Sequence, residues 1–337
     1  MREWSPRVPI EIVTSAPAML FAGVVTPPIE VRALDCDVGL VQRDALVIDE
    51  GATVERWRAF QEGWEALCTL EADHLRRNDV RLVLGDVPPL AFAAAARAEV
   101  PSIALANFSW DWIYRHLSIR VPALAEAAHR AAEAYGCADL LLRLPFAGDL
   151  STFPRIVDIP LVARRPRAGR GELRQRCGFG NRTVVLLSFG GLGLAGFDVS
   201  TLGGLGHLDF VVSTPVDDPP PNLRVFTGAR LTESDLGYAD LVGAADVVVT
   251  KPGYGIVTDA LGARTRLIYT DRGDFPEYEI LVRGMQRLMP CAYVDNESLR
   301  AGRLGGPIAD VLEQPWTSDP DLSGASVAAE HLLRILN

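Results

Sequence analysis

Lys251, Gly253, Tyr254 and Gly255, with Arg272, Asp274 and Glu277 downstream, have the residue types and spacing to bind an anionic substrate. Two glycines around an aromatic let backbone N–H groups come close to a ligand, and the lysine adds a positive charge. The apolar run Ala245-Asp246-Val247-Val248-Val249 before them reads as a buried parallel strand. Ile256 to Leu261 after them continues at helical spacing. A strand, a glycine turn and a helix N-terminus make an anion site, because the free N–H groups of the first turn point at it. Thr265 to Tyr269 reads as the next strand and ends in a loop carrying Asp271, Arg272, Asp274 and Glu277. Charged loops at the carboxyl ends of neighbouring parallel strands are where open α/β sheets bind nucleotides. Arg272 suits a diphosphate through its planar fork. Asp274 and Glu277 suit sugar hydroxyls, with a salt-bridged surface loop as the alternative.

A further glycine-rich stretch follows the predicted strand Thr183 to Leu187. Gly191-Leu192-Gly193-Leu194-Ala195-Gly196 fits G-x-G-x-x-G, and Asp217, at the end of the next strand, stands near the ~20-residue offset of the dinucleotide fingerprint. The residues after Gly196 open no long helix, so contact with a diphosphate or a plain turn is preferred to a dinucleotide site. In the first half, Asp86 and Asn107 each follow a predicted strand and so lie at a sheet's carboxyl edge. Asn107, Ser109 and Asp111 are expected to face a cleft, with Asp86 and Asp111 as candidate general bases. Trp110, Trp112 and Tyr114 either stack on a sugar face or form core beneath a helix. The five histidines show no metal-ligand spacing, and His116, the one near the expected cleft, reads as a surface residue. No G-x-S-x-G elbow or Walker P-loop is present.

Several of these strings carry a family resemblance: Asp86-Val87-Pro88-Pro89, Asn107-Phe108-Ser109-Trp110-Asp111-Trp112-Ile113-Tyr114, Ser188-Phe189-Gly190-Gly191 and Thr250-Lys251-Pro252-Gly253-Tyr254-Gly255. Over nearly its whole length the sequence resembles GT-B glycosyltransferase-like proteins related to the N-terminal region of plant L-arabinokinase, and its second half resembles glycosyltransferase family 28 C-terminal domains. The resemblance implies an α/β fold of two Rossmann-like domains facing each other across a cleft. It implies a nucleotide-sugar donor contacted by Ser188, Gly190, Gly191, Lys251, Gly253, Tyr254, Gly255, Asp259, Arg272, Asp274 and Glu277. Asp259 matches the acidic position that holds the ribose in such sites, since a carboxylate accepts both hydrogen bonds of a vicinal diol; the similar proteins usually have the longer glutamate there. Asn107, Ser109 and Trp110 fall on the acceptor side. The expected activity is sugar transfer to an unknown acceptor, with inversion, without metal and with no cofactor beyond the donor. A nucleotide-sugar epimerase of the same architecture and a non-catalytic sensor or interaction module are the alternatives. Proteins of this kind open with a strand and a glycine-histidine-glycine loop. Here the sequence starts near the end of the helix that follows, so that first strand and loop are expected to be absent through truncation or a misplaced start, and with them the expected source of the catalytic base, ahead of Asp86 and Asp111. Sugar-kinase activity is not expected.

The elements that must position these residues follow from the rest of the chain. At 337 residues it suits about two domains. With 48% hydrophobic and 23% charged residues it is globular. A net charge of −10 makes nucleic acid a poor partner. Six arginines between Arg164 and Arg176 read as a solvated linker running into a helix, Glu172 to Cys177, with a phosphate or membrane patch as the alternative. The five cysteines form no C-x-x-C pair, which suits a reducing cytosol, and the expected location is cytoplasmic with no transmembrane segment. Strands are expected at Val8 to Thr14, Val80 to Gly85 and Ser102 to Ala106. Helices are expected at Ala16 to Gly23, Thr53 to Arg77 and Leu90 to Ala98. This βαβα rhythm implies a parallel sheet. The expected division is 1–160 for an acceptor-side domain and 161–324 for a nucleotide-sugar domain, with a terminal helix in 325–337 packing back on the first.

Overall fold

The computed structural model describes residues 8–16, 21, 29–44, 46–190 and 196–336. It divides into two compact units, Met1–Val41 with Asp49–Val162 and Asp321–Asn337, and Gln42–Ile48 with Ala163–Pro320.

In the first unit, β1 (Ile10–Thr14) and β2 (Ile29–Ala33) pair in parallel. A separate parallel sheet runs β3 (Val83–Gly85), β4 (Ser102–Ala106), β5 (Leu140–Arg143) and β6 (Ile156–Asp158), in that order. The segment Ser102-Ile-Ala-Leu-Ala106 is covered on both faces, as an unbroken apolar run in a parallel sheet demands. Phe92 packs edge-on against Tyr135 and Phe153, with ring centres 5.8 and 6.1 Å apart, at the centre of the core. The expected helix Ala16 to Gly23 lies almost wholly outside the described residues.

The long helix expected over Thr53 to Arg77 is instead two, Glu50–Glu62 and Trp64–Arg77. Asp49 caps the first by accepting from Ala52 N, and Gly63 ends it with its N–H on the Phe60 and Gln61 carbonyls. The buried face of the second is Cys68, Glu71 and Ala72, while Leu70 stays exposed. Glu71 is tolerated there because Arg32 holds it bidentately at 2.6 and 2.8 Å. The segment from Pro145 to Val162, after β5, belongs to the first unit and supplies β6. The terminal helix Gly324–Leu336 also belongs to it, tied through Gly324 N to the Leu161 carbonyl at 3.1 Å.

The second unit holds six parallel strands: β7 (Thr183–Ser188), β8 (Leu208–Val212), β9 (Leu223–Val225), β10 (Val247–Thr250), β11 (Arg266–Tyr269) and β12 (Cys291–Tyr293). Their order is β12-β11-β10-β7-β8-β9, so the winding reverses between β7 and β10. Val185, Leu187, Phe210, Val247, Val249 and Ile268 form the centre of its core, and Leu46 from the short excursion Gln42–Ile48 joins them.

Two expectations change here. The arginine-rich stretch is not a solvated linker. Arg164 pairs with Asp259, Arg167 with Asp240 and Asp235, Arg174 with Asp246, and Arg176 with Asp235. Its helix is Arg170–Arg176. These arginines fasten the entry segment to the carboxylates and carbonyl ends of later helices, contacts between positions far apart in the sequence. In the glycine-rich stretch, Gly191 to Ala195 lie outside the described residues. A short 3-10 helix, Val199–Leu205, follows, and Asp217 lies in a loop well past the end of β8. A dinucleotide fingerprint needs a long helix at that point.

Candidate functional site

At the winding reversal of the second unit, β7 and β10 end level with each other. Ser188 is in register with Thr250, whose hydroxyl donates to the Ser188 carbonyl at 2.6 Å. The strand that follows β7 lies on one side and the strand that follows β10 on the other, which makes this carboxyl edge the place where doubly wound sheets form a ligand crevice. Gly190 turns one loop with φ +75, a left-handed conformation that glycine adopts without a Cβ clash. On the other side Gly253 precedes the helix Tyr254–Ala263 and offers no side-chain cap. No side chain at the cap position covers this helix start, and helix N-termini of that kind attract anions. A Cβ placed on Gly190, Gly253 or Gly255 would meet nothing within 4 Å among the described residues, so open space lies above all three with respect to those residues.

Positive charge borders this crevice. Lys251 is half-buried, and burial with the nearby Arg272 charge pulls its amine down to about 8 despite Asp44. Its Nζ donates to Gln42 Oε1 at 3.4 Å, so the excursion Gln42–Ile48 helps place it. Arg272 engages one nitrogen, Nη1, with Glu277 at 2.7 Å and the Pro252 carbonyl at 3.0 Å, and lies 4.0 Å over the Phe275 ring. This fixes the guanidinium beside the 252–255 turn.

The remaining expected donor residues are placed less simply. Glu277 is buried at the start of the helix Glu277–Leu288 and is the ionic partner of Arg272. Asp274 is exposed on the loop. Ser188 shares a 2.5 Å hydrogen bond with the Tyr238 hydroxyl. Asp259 is buried and held by the Arg164 guanidinium through two oxygens. Burial pushes its carboxyl upward against the pull of Arg164. Gly191 lies outside the described residues.

In the first unit the expected acceptor residues split into two groups. Ser109 and Asp111 are buried. Asp111 accepts from Ser109, from Arg115 Nη2 at 2.6 Å and from Thr152 Oγ1 at 2.8 Å, so its lone pairs serve the fold. Its expected role as a base is not supported by this geometry. Asn107 is also buried, and its carbonyl accepts from Gly148 N at 3.0 Å. Trp112 packs on Gly148, where a Cβ would lie 2.2 Å from the indole.

Asp86 is different. It is exposed at the carboxyl end of β3, yet protein crowds it enough that burial, and then the charge of Asp37, raise its carboxyl above the ordinary range. The next residue, Val87, has φ +62, a strained conformation for a β-branched residue. The buried Tyr135 hydroxyl helps hold it, donating to the Val87 carbonyl at 2.6 Å and accepting from Trp110 N at 3.1 Å. Asp37, which the sequence reading missed, accepts from Trp110 Nε1 at 2.8 Å, and burial raises its carboxyl too. Trp110 stacks on Tyr114 at 5.7 Å, and Asp37, Trp57, Trp64, Trp110 and Tyr114 line a narrow cavity of about 30 Å3. The signal was there in Asp35-Cys36-Asp37, acidic residues just past a strand.

Among the described residues no group of three or more His, Cys, Asp or Glu side chains is arranged to hold a metal ion. No helix among them is long and apolar enough to cross a membrane.

No protein-family model matches the chain. It is 31% identical over 340 residues to L-arabinokinase of Arabidopsis thaliana, an alignment covering 96% of this chain and 31% of that protein. The chain thus spans about a third of its relative's length. Among solved structures it is similar to the calicheamicin glycosyltransferase CalG4, with TM-score 0.59 and 15% identity over 97% of this chain and 98% of that one. It is also similar to a UDP-glucose: anthocyanidin 3-O-glucosyltransferase in complex with UDP, with TM-score 0.58 and 13% identity over 98% and 86% of the two chains. With its parallel α/β units and these neighbours, the chain has the GT-B fold of the glycosyltransferases and resembles in sequence one stretch of L-arabinokinase.

Proposed function

We propose that this chain transfers a sugar from a nucleotide-sugar donor to an acceptor hydroxyl, with inversion and without a metal. The observation that carries the reading is the crevice between β7 and β10. It joins a helix N-terminus without a side-chain cap, three glycines with open space over them among the described residues, Lys251 and Arg272. These groups offset the standing charge of the donor's diphosphate and the further negative charge it develops on leaving. Arg272 keeps Nε and Nη2 for phosphate oxygens while Nη1 holds it in place. The UDP complex of a protein with the same fold supports a nucleotide here.

In this reaction Asp86 takes the acceptor's hydroxyl proton, the acceptor oxygen bonds the anomeric carbon, and the bond from that carbon to the diphosphate breaks. A raised carboxyl pKa suits the role, since a base close to the working pH accepts a proton more readily. Asp259, fastened by Arg164, reaches a ribose only by sharing that guanidinium's bonds; this makes the Arg164–Asp259 pair a shaped wall of the donor site.

The test is turnover of UDP-, GDP- and TDP-sugars with and without a panel of alcohol and phenol acceptors, in EDTA and in magnesium. Acceptor-dependent release of nucleoside diphosphate, unchanged by EDTA, is expected. A new nucleotide-sugar formed from donor alone identifies an epimerase instead, and tight binding with no turnover identifies a sensor.

A further inference from the structure

The edge of the second sheet opposite the donor crevice has its own cavity. It lies where β11 begins at Arg266, where the helix Tyr254–Ala263 ends at Arg264, and where the helix Arg170–Arg176 begins. Because all six strands are parallel, this amino edge is separate from the carboxyl edge that carries Lys251 and Arg272. The cavity is open, about 540 Å3, and walled by Arg165, Arg170, Arg264 and Arg266 with Pro166 and Trp316. A volume of that size is in the range of small-molecule sites, roughly 300–1,000 Å3.

Its charge is unbalanced. Asp246 lies 3.8 Å from Arg170 but is already the partner of Arg174, and exposed Asp319 lies 3.5 Å from Arg264. Arg165 is exposed and makes no hydrogen bond or ion pair among the described residues. Arg266 donates from Nη2 to the Gln314 carbonyl, yet its buried Nε has no partner among them. Arg170 is fixed by the carbonyls of Gly243, Ala263 and Arg264, and burial together with the Arg174 and Arg266 charges depresses its pKa. Like charges gathered in a depression repel, and a bound anion relieves that repulsion. Guanidinium forks match phosphate oxygens in geometry as well as charge. Trp316, with Arg264 4.8 Å from its ring centre, and Pro166 give the cavity an apolar side.

We propose that this arginine-walled cavity is a second ligand site, taking a small molecule that carries a phosphate or diphosphate group. The inference is independent of the activity proposed for the donor crevice. It is tested by calorimetric titration of the full chain with pyrophosphate and with ribose 5-phosphate at fixed ionic strength, in an Arg272→Ala background that weakens the donor crevice. Both probes are expected to bind. Arg165→Glu with Arg264→Glu should weaken them at least tenfold, with melting temperature and, in the otherwise unaltered chain, UDP affinity unchanged. Arg165→Ala alone, which removes an exposed side chain, should give a smaller loss in the same direction. The proposal is overturned if neither probe binds, if the charge reversals leave binding intact, or if sulfate at equal concentration displaces both probes fully.

Discussion

Lys251 gives the sharpest prediction at the residue scale. Its amine titrates at about 8 in the folded chain, lowered first by burial and then by Arg272. Nucleoside diphosphate affinity should therefore fall as pH rises through that value, because the cation facing the phosphates is lost. Lys251→Met should bind more weakly at neutral pH and lose this pH dependence, as measured by calorimetry across the range. The linkage sign for stability is opposite. Between about 8 and the ordinary lysine value the unfolded chain binds more protons than the folded one, so this group's contribution to stability rises with pH. The two aspartates once equal as candidate bases also separate here. Asp111→Ala should destabilise the first unit by about 1.5–3 kcal/mol, the cost of stranding hydrogen bonds to a charged group, read from urea unfolding. Asp86→Asn should leave unfolding nearly unchanged and lower transfer by on the order of 10²–10⁴. In the parent chain the acid limb of the rate profile should lie above the usual carboxylate range, since burial and Asp37 raise Asp86.

The helix Tyr254–Ala263 and its approach carry the prediction for an element. Gly255 is within the helix, with nothing among the described residues within 4 Å of an added Cβ. Gly255→Leu should keep or slightly raise the melting temperature, since glycine costs a helix roughly 0.5–1 kcal/mol relative to alanine. The same change fills the space over the crevice and should abolish UDP binding. At the other end of the polar wall, Arg164→Ala strands the buried Asp259 carboxylate and should cost about 1.5–3 kcal/mol. Adding Asp259→Asn should recover part of it.

Elements like these were legible in the sequence because their patterns are local. The run Val247–Thr250 with its glycine turn reads as strand then helix without any knowledge of tertiary contacts. What was not legible is who pairs with whom. Asp259 meets Arg164 across 95 residues, and Trp110 meets Asp37 across 73. No periodicity reports such contacts, so Asp37 went unnoticed and Asp111 looked accessible. The break at Gly63 was hidden for a different reason, as an isolated glycine inside a helical pattern is tolerated and need not end the helix.

On the scale of the whole molecule, the six-stranded order β12-β11-β10-β7-β8-β9 marks the place where open α/β sheets hold ligands. The reversal between β7 and β10 puts the proposed donor site at the sheet's carboxyl edge. The charges then divide by edge, with Lys251 and Arg272 at this end and the arginine-walled cavity at the other. The measurement that bears most directly on this account is amide hydrogen exchange of the full chain with and without saturating UDP. The account predicts slowed exchange concentrated in the loop after β7, around Ser188 to Gly190, and in the turn from Lys251 to Gly255. That protection should vanish in Gly255→Leu. Protection confined to the first unit or to the arginine-walled cavity, or none under any nucleoside diphosphate, would contradict it.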